Sequence, residues 1–354
     1  MSRSLAGFLL LLFLLPFAPA SSAASTQTLQ YTIAKPNPPQ GYTYYTVEVI
    51  HTYNPLKRKG TGVFFVQTAG HTAHFFDPLA AALVMAPNTI RDAYAINLPG
   101  HGASGWPDDL TYGELSIKDY ALATYQVLNQ MKFVENRNVQ TICGHGYGGL
   151  VVEYLESELS KGTPMLPPWG PHPSSSLEND FGIGNVILMA SSMPKELPWA
   201  DVDAPFGTGK AKDFIVKYVV DDPMLGKIIA VDDAAFVNAL FAVNNVPVAG
   251  TPSGADLARI KSIEPFRTTG EYLGVDFQGG SPVAIPRVPS VAPGLWLWKN
   301  LTVVAFQFDP FALPSEEQAL ASYLKPGLGM TEILDSEAVH DMPYSKPGAL
   351  LSLF

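Results

Sequence analysis

Apolar positions recur along this chain in two rhythms. Short β-branched and aromatic runs predict strands, and apolar residues spaced three and four apart predict helices. Leu29 to Ala34 and Tyr45 to His51 flank Pro-Asn-Pro-Pro-Gln-Gly and predict two antiparallel strands. Gly62 to Gln67 is a nearly unbroken apolar run, as in a strand buried on both faces. His74 to Ala86 puts Phe75, Leu79, Leu83 and Val84 on one side of a helix. Asp92 to Pro99 is a further strand, running into Gly100-His101-Gly102-Ala103-Ser104. Ser116 opens a helix to about Phe133, with Ile117, Tyr120, Ala121 and Tyr125 at helical spacing. Val186 to Ala190, Leu301 to Phe306 and Met330 to Leu334 predict three more strands. Ser315 to Leu324 predicts a helix opening on a capping box, Ser315-x-x-Gln318. Gly348 to Phe354 predicts a short terminal helix.

The centre of this pattern is Val139 to Glu153. Val139 to Cys143 is an apolar strand, Gly144-His145-Gly146-Tyr147-Gly148-Gly149 a tight turn, and Leu150 the start of a helix that ends near Lys161. Strand, glycine-flanked turn and helix form the layout of a nucleophile elbow, G-x-S-x-G. Here it reads Gly144-x-Gly146-x-Gly148, with glycine at the nucleophile position.

Two stretches break the alternation. Gly162 to Gly184 is rich in Pro, Gly and Ser and predicts a surface excursion. More than a hundred residues between the strands at Val186 and Leu301 show no strand–helix alternation. They hold helical patterns at Lys210–Val220, Asp232–Val243 and Ser253–Ile263, among dense Pro and Gly such as Gly279 to Pro286. A structureless loop this long is improbable, so a helical cap over residues 195–298 is expected, inserted between core segments 25–194 and 299–354.

Residues 1–24 are expected to be a cleaved signal peptide. Arg3 precedes the apolar run Leu5 to Phe17, which is too short for a stable membrane span, and small residues follow at Ala18 to Ala24. The expected location is therefore the secretory pathway, with no stable membrane insertion after cleavage. The net charge of −10 argues against nucleic acid and anionic membranes. The one cysteine, Cys143, lies inside the central strand, so no disulfide is expected within the chain. One sequon, Asn300-Leu301-Thr302, is present, and its place at the start of a core strand argues against its use.

The strand–helix order, the elbow and the late Asp and His together resemble the α/β-hydrolase fold. Five stretches carry the resemblance: Phe64 to His71, Asn97 to Ser104, Gly144 to Gly148, Val304 to Pro310 and Ala338 to Met342. They are similar to that family's oxyanion loop, its Asp-x-Pro-Gly-His-Gly-x-Ser loop, its elbow, its acid segment and its histidine segment. The resemblance implies an α/β fold: a mostly parallel eight-stranded sheet with helices on both faces. It implies that His340 is a general base oriented by Asp309. It implies an oxyanion hole from the backbone N–H of Tyr147 with Ala69 or Thr68.

The chain departs from that pattern twice. Gly146 replaces the nucleophile, and Gln67-Thr68 stand where His-Gly is usual. No replacement nucleophile is convincing: Cys143 reads as core, and an elbow turns the side chains of His145 and Tyr147 away from its centre. His71 and His145 are expected to line the pocket. His71, His74 and His101 suggest a metal, but no carboxylate or Cys completes a tetrahedral set, so neither metal nor other cofactor is expected. Two functions remain open. One is non-covalent general-base chemistry by His340 and Asp309 on a small apolar carbonyl compound, by direct water attack or as a lyase, isomerase or cyclase. The other is an inactive pseudoenzyme that binds a small apolar ligand or a protein under the cap.

Overall fold

The first two strands pair along their whole length. β1 (Ser25–Asn37) and β2 (Gly41–Tyr53) form an antiparallel hairpin from Ser25↔Tyr53 to Asn37↔Gly41. They extend beyond the apolar runs because the flanking residues, Thr and Tyr among them, are good strand formers. Pro36 is tolerated because β1 is an edge strand. The structure is a computed structural model that describes residues 23–37, 41–67, 72–105, 117–162, 174–191, 275–278, 281–284, 300–307, 314–334 and 342–354.

β3 (Thr61–Val66), β4 (Ile90–Ile96), β5 (Val139–His145) and β6 (Asn185–Met189) follow in the chain. β7 (Val275–Gln278) and β8 (Ser281–Ala284) pair antiparallel in a separate two-stranded sheet. β9 (Asn300–Phe306) and β10 (Thr331–Ile333) return to the main sheet. That sheet has eight strands in the order β1-β2-β4-β3-β5-β6-β9-β10. It is parallel from β4 to β10, and only the pairs β1–β2 and β2–β4 are antiparallel. The α/β class and the mostly parallel eight-stranded sheet expected from the sequence are present.

Helices cover both faces. α1 (Asp77–Met85) follows a 3₁₀ turn at Ala73–Phe76. α2 (Ile117–Asn129) ends in a π turn at Gln130–Val134, and α3 (Tyr147–Lys161) follows β5. α4 (Leu177–Phe181), α5 (Pro314–Leu324) and α6 (Met342–Ser345) complete the set among the described residues, before a terminal 3₁₀ segment at Pro347–Leu353. On one face Val49, Phe64, Val66, Ile142 and Leu188 pack with Tyr120 and Leu128 of α2, Val151 and Leu155 of α3, and Leu320 of α5. On the other, Val63, Phe65, Cys143, Ile187 and Phe306 pack with Leu79 and Leu83 of α1 and with Leu350. Each such buried side chain contributes about 1.5–3 kcal/mol by leaving water. The β1 edge is partly covered: Gln126 of α2 accepts from Ala34 N at 2.9 Å and donates to Ala34 O at 2.8 Å, and Gln130 donates to Thr32 O at 2.9 Å.

Four local expectations change. The helix after the elbow begins at Tyr147, not Leu150, so Gly148 and Gly149 are helical. The Pro/Gly/Ser-rich excursion contains α4, whose Leu177 and Phe181 are buried in the core. The Gly279 region is flanked by two short strands, Val275–Gln278 and Ser281–Ala284, which pair antiparallel. The capping box at Ser315 does not form: Ser315 lies inside α5, and Gln318 bonds Met330 N and Ser322 Oγ instead. The expected helices at Lys210–Val220, Asp232–Val243 and Ser253–Ile263 lie outside the described residues.

Candidate active site

The turn between β5 and α3 is built by backbone contacts that only glycine permits. Gly146 has φ 53° and ψ −122°, a region where a Cβ costs about 1–3 kcal/mol. Its N–H donates to Met189 O at 2.9 Å, and its carbonyl accepts from Gly149 N at 3.0 Å. A Cβ on Gly144 would sit 2.5 Å from Gly149 Cα, and one on Gly148 would sit 2.2 Å from Val66 O and 2.4 Å from Gln67 O. The glycines thus seat the first turn of α3 directly on the end of β3. Gly148→Ala is therefore expected to cost about 3 kcal/mol or more, because backbone must move. Gly329→Ala, where a Cβ meets nothing within 4 Å, is the control. Urea unfolding compares them, and a Gly148→Ala loss no larger than the control's would refute the contact.

The neighbouring loop is held by a buried polar network. Glu48 accepts from Asn97 Nδ2 and, at 3.2 Å, from Ala103 N. Asn97 Oδ1 accepts from Ala73 N at 2.6 Å, which ties the start of the 3₁₀ turn at Ala73–Phe76 to the residue that follows β4. Ser104 Oγ donates to Asn97 O at 2.5 Å and accepts from Glu48 N at 2.9 Å. Gly102, at φ 55°, packs where a Cβ would lie 2.3 Å from Asn97 Nδ2. Asn97 stands where the resembled family has Asp, and the change is intelligible. Its amide donates to Glu48, whereas a second carboxylate would repel it.

The site residues expected from the sequence divide into two groups. Gly146 is on the strand-to-helix turn, and Tyr147 begins α3, so its backbone N–H lies at the positive end of that helix. Thr68, Ala69, His71, Asp309 and His340 lie outside the described residues. In chain order Asp309 follows β9 and His340 follows β10. His145 is fully buried, 5.0 Å from Phe75 and near Phe76 and Phe306. Its ring therefore sits in the apolar layer on the α1 face. His74 is exposed and bonded to Asp77 at 2.8 Å, while His101 is buried against Tyr120 with Nδ1 3.2 Å from Pro99 O. No three His, Cys, Asp or Glu side chains gather into a metal-binding set among the described residues. Cys143 is a core residue, and burial pushes its thiol well above the usual value, which suppresses the reactive thiolate.

One buried pair near the elbow was not anticipated. Ser191 Oγ, just beyond β6, donates to Glu153 Oε1 of α3 at 2.8 Å. Burial raises the Glu153 carboxyl well above its ordinary value, and the Ser191 hydroxyl offsets part of that. Ala190 beside it holds φ 47°, and Ser191 fills the space a Cβ on Gly149 would need. The only sequence signal was the paired small residues Gly148-Gly149. A second His–Asp pair, His51 Nε2 to Asp92 Oδ1 at 2.8 Å, lies at the start of β4, the end of the sheet away from the elbow.

Comparison with known proteins agrees with this geometry. A thermophilic esterase from Thermogutta terrifontis is 13% identical with a TM-score of 0.57, over 92% of this chain and 96% of that one. Haloalkane dehalogenase DbeA from Bradyrhizobium elkani is 14% identical with a TM-score of 0.59, over 92% and 95%. A hydrolase from Pseudomonas aeruginosa is 15% identical with a TM-score of 0.53, over 91% and 97%. At such identities the likeness is one of fold. No curated protein matches the chain as a relative. The sequence pattern of the alpha/beta hydrolase family matches residues 63–350, from within β3 to the terminal 3₁₀ segment. An eight-stranded sheet with a glycine elbow at its centre, matched over that span, makes the chain a member of the alpha/beta hydrolase family.

Proposed function

We propose that this chain performs proton-transfer chemistry without a covalent enzyme intermediate, on a small apolar carbonyl compound held above Gly146. The observation that carries the proposal is the elbow itself. Its backbone keeps the φ 53°, ψ −122° turn at the head of α3, but the side chain that would attack is missing. Gly146 leaves room for a water or a substrate group. His340, oriented by Asp309, takes a proton from that water or from the carbon beside the carbonyl. The N–H of Tyr147, with Ala69 or Thr68, holds the negative charge that develops on the carbonyl oxygen. Direct hydrolysis and a lyase, isomerase or cyclase reaction all use these parts. Residues 1–24 support action in the secretory pathway.

A ligand-binding protein without activity is the alternative, favoured by Gln67. This side chain, where a family oxyanion loop usually begins with His-Gly, is fully buried at the end of β3. Deuterium exchange separates the two. In heavy water the wild type is expected to exchange α-protons of small cyclic ketones, or to hydrolyse small esters and lactones without an acyl-enzyme in the intact mass. His340→Ala is expected to lose about 10²–10⁴-fold of that rate. Thermal stabilisation by the same compounds with no exchange and no turnover would establish the binder instead.

A further inference from the structure

We propose that Asn300 is an attachment site for an N-linked glycan, added as the chain enters a eukaryotic-type secretory lumen. The proposal rests on residues 1–24 acting as an export leader. Asn300-Leu301-Thr302 is the only Asn-x-Ser/Thr triplet in the chain. Its place in a core strand argued against use, and the structure reverses that argument.

Asn300 is the first residue of β9, paired in register with Asn185 of β6. Its side chain is exposed, and it makes no hydrogen bond to a described residue. The amide nitrogen that would carry the sugar is therefore not engaged by any of the described residues. Leu301 is buried and Thr302 half-buried, but neither fact opposes modification. Transfer occurs on the extended nascent chain, where the Thr302 hydroxyl is accessible. Folding afterwards requires only that the modified residue remain outside. A bulky, hydrated sugar is compatible with a residue at the strand's mouth and incompatible with one inside the sheet.

The position also spares the elbow. β9 runs seven residues from Asn300 to Phe306, parallel to its neighbours, so its two ends lie roughly 20 Å apart. Gly146 lies at the opposite rim, following the C-terminal end of β5. A glycan on Asn300 hangs from the N-terminal rim of the sheet and leaves the rim of the candidate site open.

The test is expression of the full chain in cultured eukaryotic cells, with recovery from the medium. Peptide-N-glycosidase digestion in ¹⁸O water then marks any glycosylated asparagine as labelled aspartate. Most secreted molecules are expected to shift by one glycan on a gel, with the label at Asn300. Asn300→Gln and Thr302→Ala should each abolish the shift, and Thr302→Ser should keep it. Secreted wild type with an unmodified Asn300 overturns the proposal. A second chain has residues 1–24 replaced by an established secretory leader. Modification at Asn300 there, with failed export of the native form, supports the site and removes only the native leader. An exported but unmodified chain overturns the site whichever leader carried it.

Discussion

Gly146→Ser is expected to turn an unreactive protein into one that is labelled by serine-directed phosphonates. The backbone at Gly146 already holds the elbow turn, so the new Oγ arrives at the head of α3 beside the N–H of Tyr147. If His340 and Asp309 are arranged to accept its proton, turnover of short-chain p-nitrophenyl esters follows. Loss of a serine nucleophile from a working site costs on the order of 10⁶ in turnover, so the gain has that as its ceiling. The same change is expected to destabilise the fold by about 1–3 kcal/mol, because a Cβ strains this φ. Intact-mass labelling and a urea titration of both forms measure the two effects. Labelling of the wild type would reveal a nucleophile elsewhere. A well-folded serine variant that neither labels nor turns over would leave ligand binding as the function.

Stability is expected to fall as pH rises from about 4.5 to about 8, and one buried carboxyl should account for much of it. Glu156 of α3 accepts from Leu177 N at 2.9 Å, joining α3 to the start of α4. Burial pushes its pKa up to about 8. The Leu177 N–H offsets part of this, and the charges of Asp180 and Glu178 add to it. The folded state therefore holds a proton that the unfolded chain releases above its ordinary value of 4.5. The contribution is complete below pH 4.5 and is lost as pH climbs through 8. At 1.36 kcal/mol per pH unit its ceiling is roughly 5 kcal/mol. Glu156→Gln keeps an acceptor for Leu177 N and removes the titration, so its stability should be flatter with pH. Urea unfolding at pH 5 and pH 9 compares the two proteins. Parallel profiles would mean that Glu156 titrates alike in both states.

The core strands were legible because parallel strands are apolar on both faces, and Phe64, Phe65, Ile142 and Val303 are wholly buried as such a run requires. Gly148 and Gly149 were not legible as helix. Each costs about 1 kcal/mol of helical propensity, and only contact with Val66, Gln67 and Ser191 explains them. α4 was hidden by its surroundings, although its punctuation was present. Ser176 caps its first turn by accepting from Asn179 N, and Gly182 closes it in the left-handed region. Of the candidate site, Gly146 and Tyr147 were legible because the elbow is a local motif. The Ser191–Glu153 pair was not, because its partners are 38 residues apart and meet only through the packing of α3 on the sheet.

A hairpin with thirteen paired positions in each strand has many ways to close out of register. Slippage by two residues would keep every side chain on its proper face, so burial alone is a weak judge of the correct pairing. Gln126 supplies a second judge. Its amide engages both the N–H and the carbonyl of Ala34, a residue 92 positions away. A hairpin displaced by two residues presents a different residue to that amide and takes Thr32 out of line with Gln130. α2 and the π turn after it thus fit only one register of the edge strand. The register of the first strands is tied to a residue 92 positions further along the chain.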